Sequence, residues 1–105
     1  MSKVTLTVNP GVCGFKTVIV SECEDMMNAN FTIESECPAV AALAEELTSL
    51  DVMNGLMTPF ATNPVYEAAG VLPHGTCPVP CAILKAAEAS ADFALKRDIS
   101  MEFSK

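Results

Sequence analysis

Residues 30–50, "NFTIESECPAVAALAEELTSL", change their repeat half-way. Phe31, Ile33 and Ser35 alternate with polar neighbours, the two-residue period of a half-buried strand. After Cys37 the period lengthens. Val40, Leu43, Leu47 and Leu50 recur at helical spacing, with Glu45, Glu46 and Ser49 elsewhere on the wheel. Pro38 suits the first helical position, where its missing N–H costs nothing. A strand therefore hands over to a helix expected across 38–50.

Reading towards the N-terminus adds two more strands. "KVTLTV" (3–8) alternates, with Val4, Leu6 and Val8 on one face. "KTVIVSE" (16–22) is rich in β-branched residues. Between them "NPGVCGF" (9–15) carries turn chemistry. Towards the C-terminus, 51–61 is an apolar connector broken by Gly55 and Pro59. "TNPVYEAAG" (62–70) predicts a short helix with Asn63 as cap, Pro64 next and Gly70 as stop. An alanine-rich helix is expected from Pro80 to Leu95, since alanine favours helix and permits close packing. "DISMEFSK" (98–105) alternates Ile99, Met101 and Phe103 and predicts a last strand. The order predicts an α+β fold. Its mainly antiparallel sheet has three N-terminal strands plus a C-terminal strand, with two long helices and one short helix on one face.

The chain has 105 residues and is 50% apolar, which predicts a single domain over 1–105 with a core large enough to need no staples. Its formal charge is −7, and its six Lys and Arg residues form no long patch. Phosphate-backbone binding needs many such contacts, so nucleic acid is not expected as a partner. No apolar run is long enough to span a bilayer. The start, Met1 to Thr5, lacks the charged and apolar regions of a signal peptide, and a cytoplasmic location is expected. In a reducing compartment five cysteines point away from a disulfide frame.

Four cysteines sit at turns or helix mouths. In "HGTCPVPCAILKAAE" (74–88), Cys77 and Cys81 flank Pro-Val-Pro. Pro80 is expected to open the helix, with Cys81 in its first turn, where free N–H groups and the helix dipole favour thiolate. Cys37 directly precedes a helix-opening proline. Cys13 lies in a loop between Gly11 and Gly14. Were the loop and both helix mouths at one end of the sheet, Cys13, Cys37, Cys77 and Cys81 would converge as four thiolate ligands for zinc or an iron–sulfur cluster. His74, the one histidine, would replace a ligand or bond to a sulfur. Cys23, among Glu22, Glu24 and Asp25, is expected at a surface or strand end with no site role, because those charges disfavour thiolate. The methionines read as core or loop fill, with Met53 and Met57 facing the core together. No P-loop, dinucleotide fingerprint or nucleophile elbow is present. His74 with Cys77 or Cys81 is the only nucleophile–base pair on offer.

"NPGVCGF", "ESECPAV" and "HGTCPVPCAILKAAE", with the closing strand, resemble a family of small cysteine-containing proteins of unknown function from anaerobic bacteria and archaea. The resemblance implies a shared cysteine framework and no established activity. An anaerobic host would suit an oxygen-sensitive cluster.

Three functions stay open. The first is a metal-binding or iron–sulfur protein ligated by Cys13, Cys37, Cys77 and Cys81, serving electron transfer or metal and cluster handling with a redox or metal-accepting protein partner. The second is a thiol redox or sulfur-transfer protein, with Cys81 as nucleophile and Cys77 as resolving thiol. The third is a structural or interaction module, a homodimer with inert buried thiols, joined through a strand edge or the alanine-rich helix face.

Overall fold

In the computed structural model, which describes residues 2–104, four strands form one antiparallel sheet in chain order. They are β1 (Ser2–Val8), β2 (Thr17–Cys23), β3 (Asn28–Ser35) and β4 (Ser49–Asp51). The α+β class is as expected. The register puts Val4, Ser21 and Phe31 in one row across the sheet, and Leu6, Ile19 and Ile33 in the next. These rows face the helices: Val4, Ile19, Ser21 and Phe31 are buried. On β2 it is the threonine–isoleucine–serine–cysteine face that goes in, while Val18 and Val20 stay half-buried on the open face. Asp25 closes the β2–β3 hairpin by accepting the N–H groups of Met27 and Asn28, both at 2.9 Å. The Asn28 N–H and then the Met27 N–H hold its carboxyl below the usual carboxylate range.

The helices are α1 (Pro38–Glu46), α2 (Val52–Met57), α3 (Pro64–Ala68) and α4 (Val79–Ser90), with 3-10 turns at Phe60–Thr62 and Ala69–Val71. α1 stops earlier than its apolar spacing predicts. Thr48 and Ser49 are poor helix formers. The chain drops back to the sheet instead: the Phe31 N–H donates to the Thr48 carbonyl at 2.8 Å, and Leu50 pairs with Ala29. The fourth strand is thus this short one beside β3. Residues 98–104, expected as the last strand, have no strand structure, and Lys105 lies outside the described residues. Asn63 caps α3 as expected, accepting from the Val65 N–H, whereas residues 52–57, expected as connector, form α2 with Asp51 accepting from the Asn54 N–H.

α4 lies across β1 and β2 and buries Ala82, Ile83, Ala86, Ala87 and Ser90. Small side chains let it sit close. Its end is fixed by hydroxyls: Ser90 Oγ donates to the Ala87 carbonyl at 3.0 Å and lies 2.8 Å from Ser21 Oγ. A hydroxyl has one proton, so Ser21 is the donor of that second bond. Ser2 Oγ adds a bond to the Ser90 carbonyl at 3.1 Å.

Two stability outcomes follow from this packing. Ser21→Ala removes one net hydrogen bond and should cost about 1 kcal/mol. Ser90→Ala strands the buried Ser21 hydroxyl and should cost about 2 kcal/mol. Urea unfolding of both variants checks the order. Gly55 is buried in α2, and a Cβ there would lie 2.6 Å from Leu50 Cδ2. Overpacking of about 2 kcal/mol should outweigh a helix-propensity gain of about 1 kcal/mol in Gly55→Ala. A lower urea midpoint is the expected result.

Candidate functional site

The strand register places the β1–β2 loop, with Cys13, and the end of β3, before Cys37, at one end of the sheet, where Val8 pairs with Thr17 and Thr17 with Ser35. The side chains nevertheless part company. Cys13 is exposed. Cys37 is half-buried against the core, and its N–H donates to Ser35 Oγ at 3.0 Å. Cys77 also packs half-buried against the core, ending a turn in which its N–H donates to the His74 carbonyl. Cys81 is exposed on α4.

All five cysteines are free, and among the described residues no three Cys, His, Asp or Glu side chains group so as to hold a metal ion. The expected four-cysteine zinc or iron–sulfur site of Cys13, Cys37, Cys77 and Cys81 is therefore not formed. Ligands ~2.3 Å from one zinc need sulfurs within about 4 Å of each other. Here two thiols pack on the apolar core and two face solvent from different elements. Of the Cys77–Cys81 pair, both are free thiols, Cys77 half-buried against the core and Cys81 exposed. Cys23, expected at a surface or strand end, is the last residue of β2 and fully buried.

The prolines between Cys77 and Cys81 build the helix start. Pro78 occupies the cap, Val79 opens α4 and Pro80 follows, one residue later than expected. Val79 and Pro80 are both buried. No side chain caps this end, nor does Cys37 cap α1. Neither proline presents an N–H that would need a partner.

Cys81 opens onto a cleft of about 140 Å³ lined with Gly55, Leu56, Phe60, Asn63 and Leu84. Ligand pockets usually start at about 300 Å³. Its polar groups are already engaged. Asn63 Nδ2 donates to the Gly55 and Thr58 carbonyls at 2.7 and 2.9 Å. Lys85, one turn beyond Cys81, lies 3.2 Å from Glu88. Tyr66 stacks on Phe60 at 4.9 Å between ring centres. Burial, and then the proximity of Cys81, push its phenol above the ordinary tyrosine range. No histidine lines this cleft, and His74 is exposed in the preceding loop. Met53 and Met57, expected to face the core, are instead 52% and 74% exposed on α2.

A larger cleft of about 350 Å³ separates α4 and β1 from the C-terminal segment. Val4, Leu6, Ala86 and Ala89 form one side, and Leu95 to Ile99 the other. The segment arises because α4 ends at Ser90, short of the expected Leu95. Asp92 adopts a left-handed conformation at φ 65°, and the Phe93 N–H folds back to the Glu88 carbonyl at 2.9 Å. This is a helix stop usually made by glycine, and the continuing alanines conceal it. Beyond it, Phe93, Leu95, Ile99, Met101 and Phe103 are all exposed.

The chain belongs to the family of unknown function DUF6951. The family model matches residues 4–103, which takes in both clefts, every helix and most of the C-terminal segment. No curated protein and no solved structure matches the chain. The family reading made from the cysteine motifs therefore holds, and it brings no activity with it. Among the described residues no helix is long and apolar enough to cross a membrane.

The burial pattern predicts thiol reactivity. Native protein treated with a colorimetric disulfide reagent should show a fast phase from Cys13 and Cys81 and a slower one from Cys37 and Cys77. Cys23 should react only on unfolding. Mass mapping of the early adducts checks the assignment.

Proposed function

We propose that this chain is a protein-interaction module that works as a homodimer. One observation carries the reading: five large apolar side chains between Phe93 and Phe103 are exposed, Phe103 fully, beside the cleft that reaches β1. Large apolar side chains exposed in such number within eleven residues favour an interaction surface, since contiguous apolar patches are rare on monomers. The thiol arrangement supports it as well, because two half-buried cysteines and one fully buried one pack as small hydrophobes. The exposed Cys81 lines the smaller cleft, with Gly55 and Leu56 of α2.

Light scattering across a dilution series tests it. The sequence mass is 11.1 kDa, and the expected result is twice that, falling towards one chain on dilution. Met101→Asp with Phe103→Asp should raise the dissociation constant at least about a hundredfold, the loss of a central apolar contact. The melting temperature of the dissociated chain should hardly move, since neither side chain is buried in it. A full chain that stays at one-chain mass at every concentration overturns the reading.

A further inference from the structure

We infer that residues 99–104 of one copy add as a strand to the free edge of β1 in a second copy, reciprocally. The inference rests on the homodimer proposed above and specifies how it forms. Residues 99–104 carry a strand pattern and have no strand partner: Ile99, Met101 and Phe103 alternate with Ser100, Glu102 and Ser104. Among the described residues, no backbone hydrogen bond joins 94–104 to the rest of the chain. The edge of β1 is the complementary feature. Seven residues, Ser2–Val8, pair with β2 on one side and, among the described residues, with no strand on the other. An open edge of that length is a template for another strand.

The two features start close together. Ser90 is bonded to Ser2 and Ser21, so the C-terminal segment leaves α4 beside the beginning of β1. Within its own protomer residues 94–99 share a cleft with Lys85 and Glu88 of α4 and with Val4, Thr5 and Leu6 of β1, and among the described residues no backbone hydrogen bond joins them to β1. Six extended residues reach about 20 Å, enough to cover most of β1.

Faces and charges match. In the antiparallel register that sets Glu102 opposite Lys3, Met101 faces Val4 and Ile99 faces Leu6. The apolar side chains then extend the inner face of β1, where Leu6 and Val8 are only half-buried. Ser100 and Glu102 join Thr5 and Lys3 on the open face. A lysine on an edge discourages indiscriminate pairing, and an acid opposite it selects the partner. The size is also adequate. Residues 2–8 and 93–104 supply nineteen residues of each copy, close to the roughly 20 a side of a stable interface.

Charge exchange and hydrogen exchange on the full chain test this. Lys3→Glu and Glu102→Lys should each raise the dissociation constant about tenfold, because each dimer holds two such pairs. The double variant should return to within about twofold of the original protein. Amides of 99–104 should be protected at high protein concentration and lose protection on dilution. Protection independent of concentration means the strand folds back on its own β1, and overturns the inference. So does a dimer in which 99–104 stay unprotected, one that survives deletion of 99–105, or a double variant that fails to recover. In those three cases the homodimer itself still stands. A chain that never dimerises overturns both.

Discussion

The bond between Ser21 and Ser90 is the contact on which the arrangement of the molecule turns. Both hydroxyls are fully buried, and they meet where the last turn of α4 crosses β2. A buried hydroxyl needs a partner, and each here is satisfied by the other and by the Ala87 carbonyl. The energy is modest, on the order of 1 kcal/mol. The geometric consequence is larger. With its C-terminal end tied to Ser2 and Ser21, α4 extends along β1 and β2, and its first turn is carried over to α2 and α3. Cys81 is carried with it, which is why it meets Gly55 and Leu56 rather than Cys13 or Cys37.

Small residues make that seat available. Ala82, Ala86 and Ala87 face the sheet, and the inner face of β2 offers Thr17 and Ser21 in place of larger apolar side chains. The core is then filled from the sides by Leu43, Phe31, Ile83 and Leu47. Thr17 satisfies its own hydroxyl against Ser35 at 2.7 Å. Polar residues on the buried face of a strand thus serve close helix approach without leaving a buried polar side chain unpaired. Among the described residues no such side-chain atom lacks a partner.

Much of this was legible in the sequence, and the failures have physical causes. The change of period across residues 30–50 located β3 and the start of α1, and Asn63 and Pro64 marked α3. Leu47 and Leu50 continued the helical spacing because both are core residues, but spacing cannot tell one buried element from a helix that ends and returns as a strand. The end of α4 was missed because Asp92 takes the position where glycine would have announced a stop. The candidate site was misread for a different reason. Cysteine beside proline at a helix mouth satisfies two demands at once, a small apolar side chain for the core and a residue without an N–H for the first turn. Cys37 and Cys77 meet both demands, and together with the exposed Cys13 and Cys81 they imitate a ligand set. Only side-chain direction separates the two meanings, and no spacing rule encodes it.

Alternation at the C-terminus presents the converse case. Ile99, Met101 and Phe103 carry a strand signal that the protomer leaves unused. A two-residue apolar period has no value to an isolated extended segment, since it buries nothing and exposes three large side chains to water. It acquires one only against a sheet edge whose residues alternate in the same phase. β1 is such an edge, and its inner-face residues Leu6 and Val8 are incompletely covered by α4. The tether at Ser90 and the reversal at Asp92 bring the segment back towards α4 and β1, where residues 94–99 line a cleft with both. Among the described residues the protomer thus holds a strand pattern without a strand partner and a β1 paired on one side alone. The reciprocal pairing proposed above would resolve both shortfalls at once.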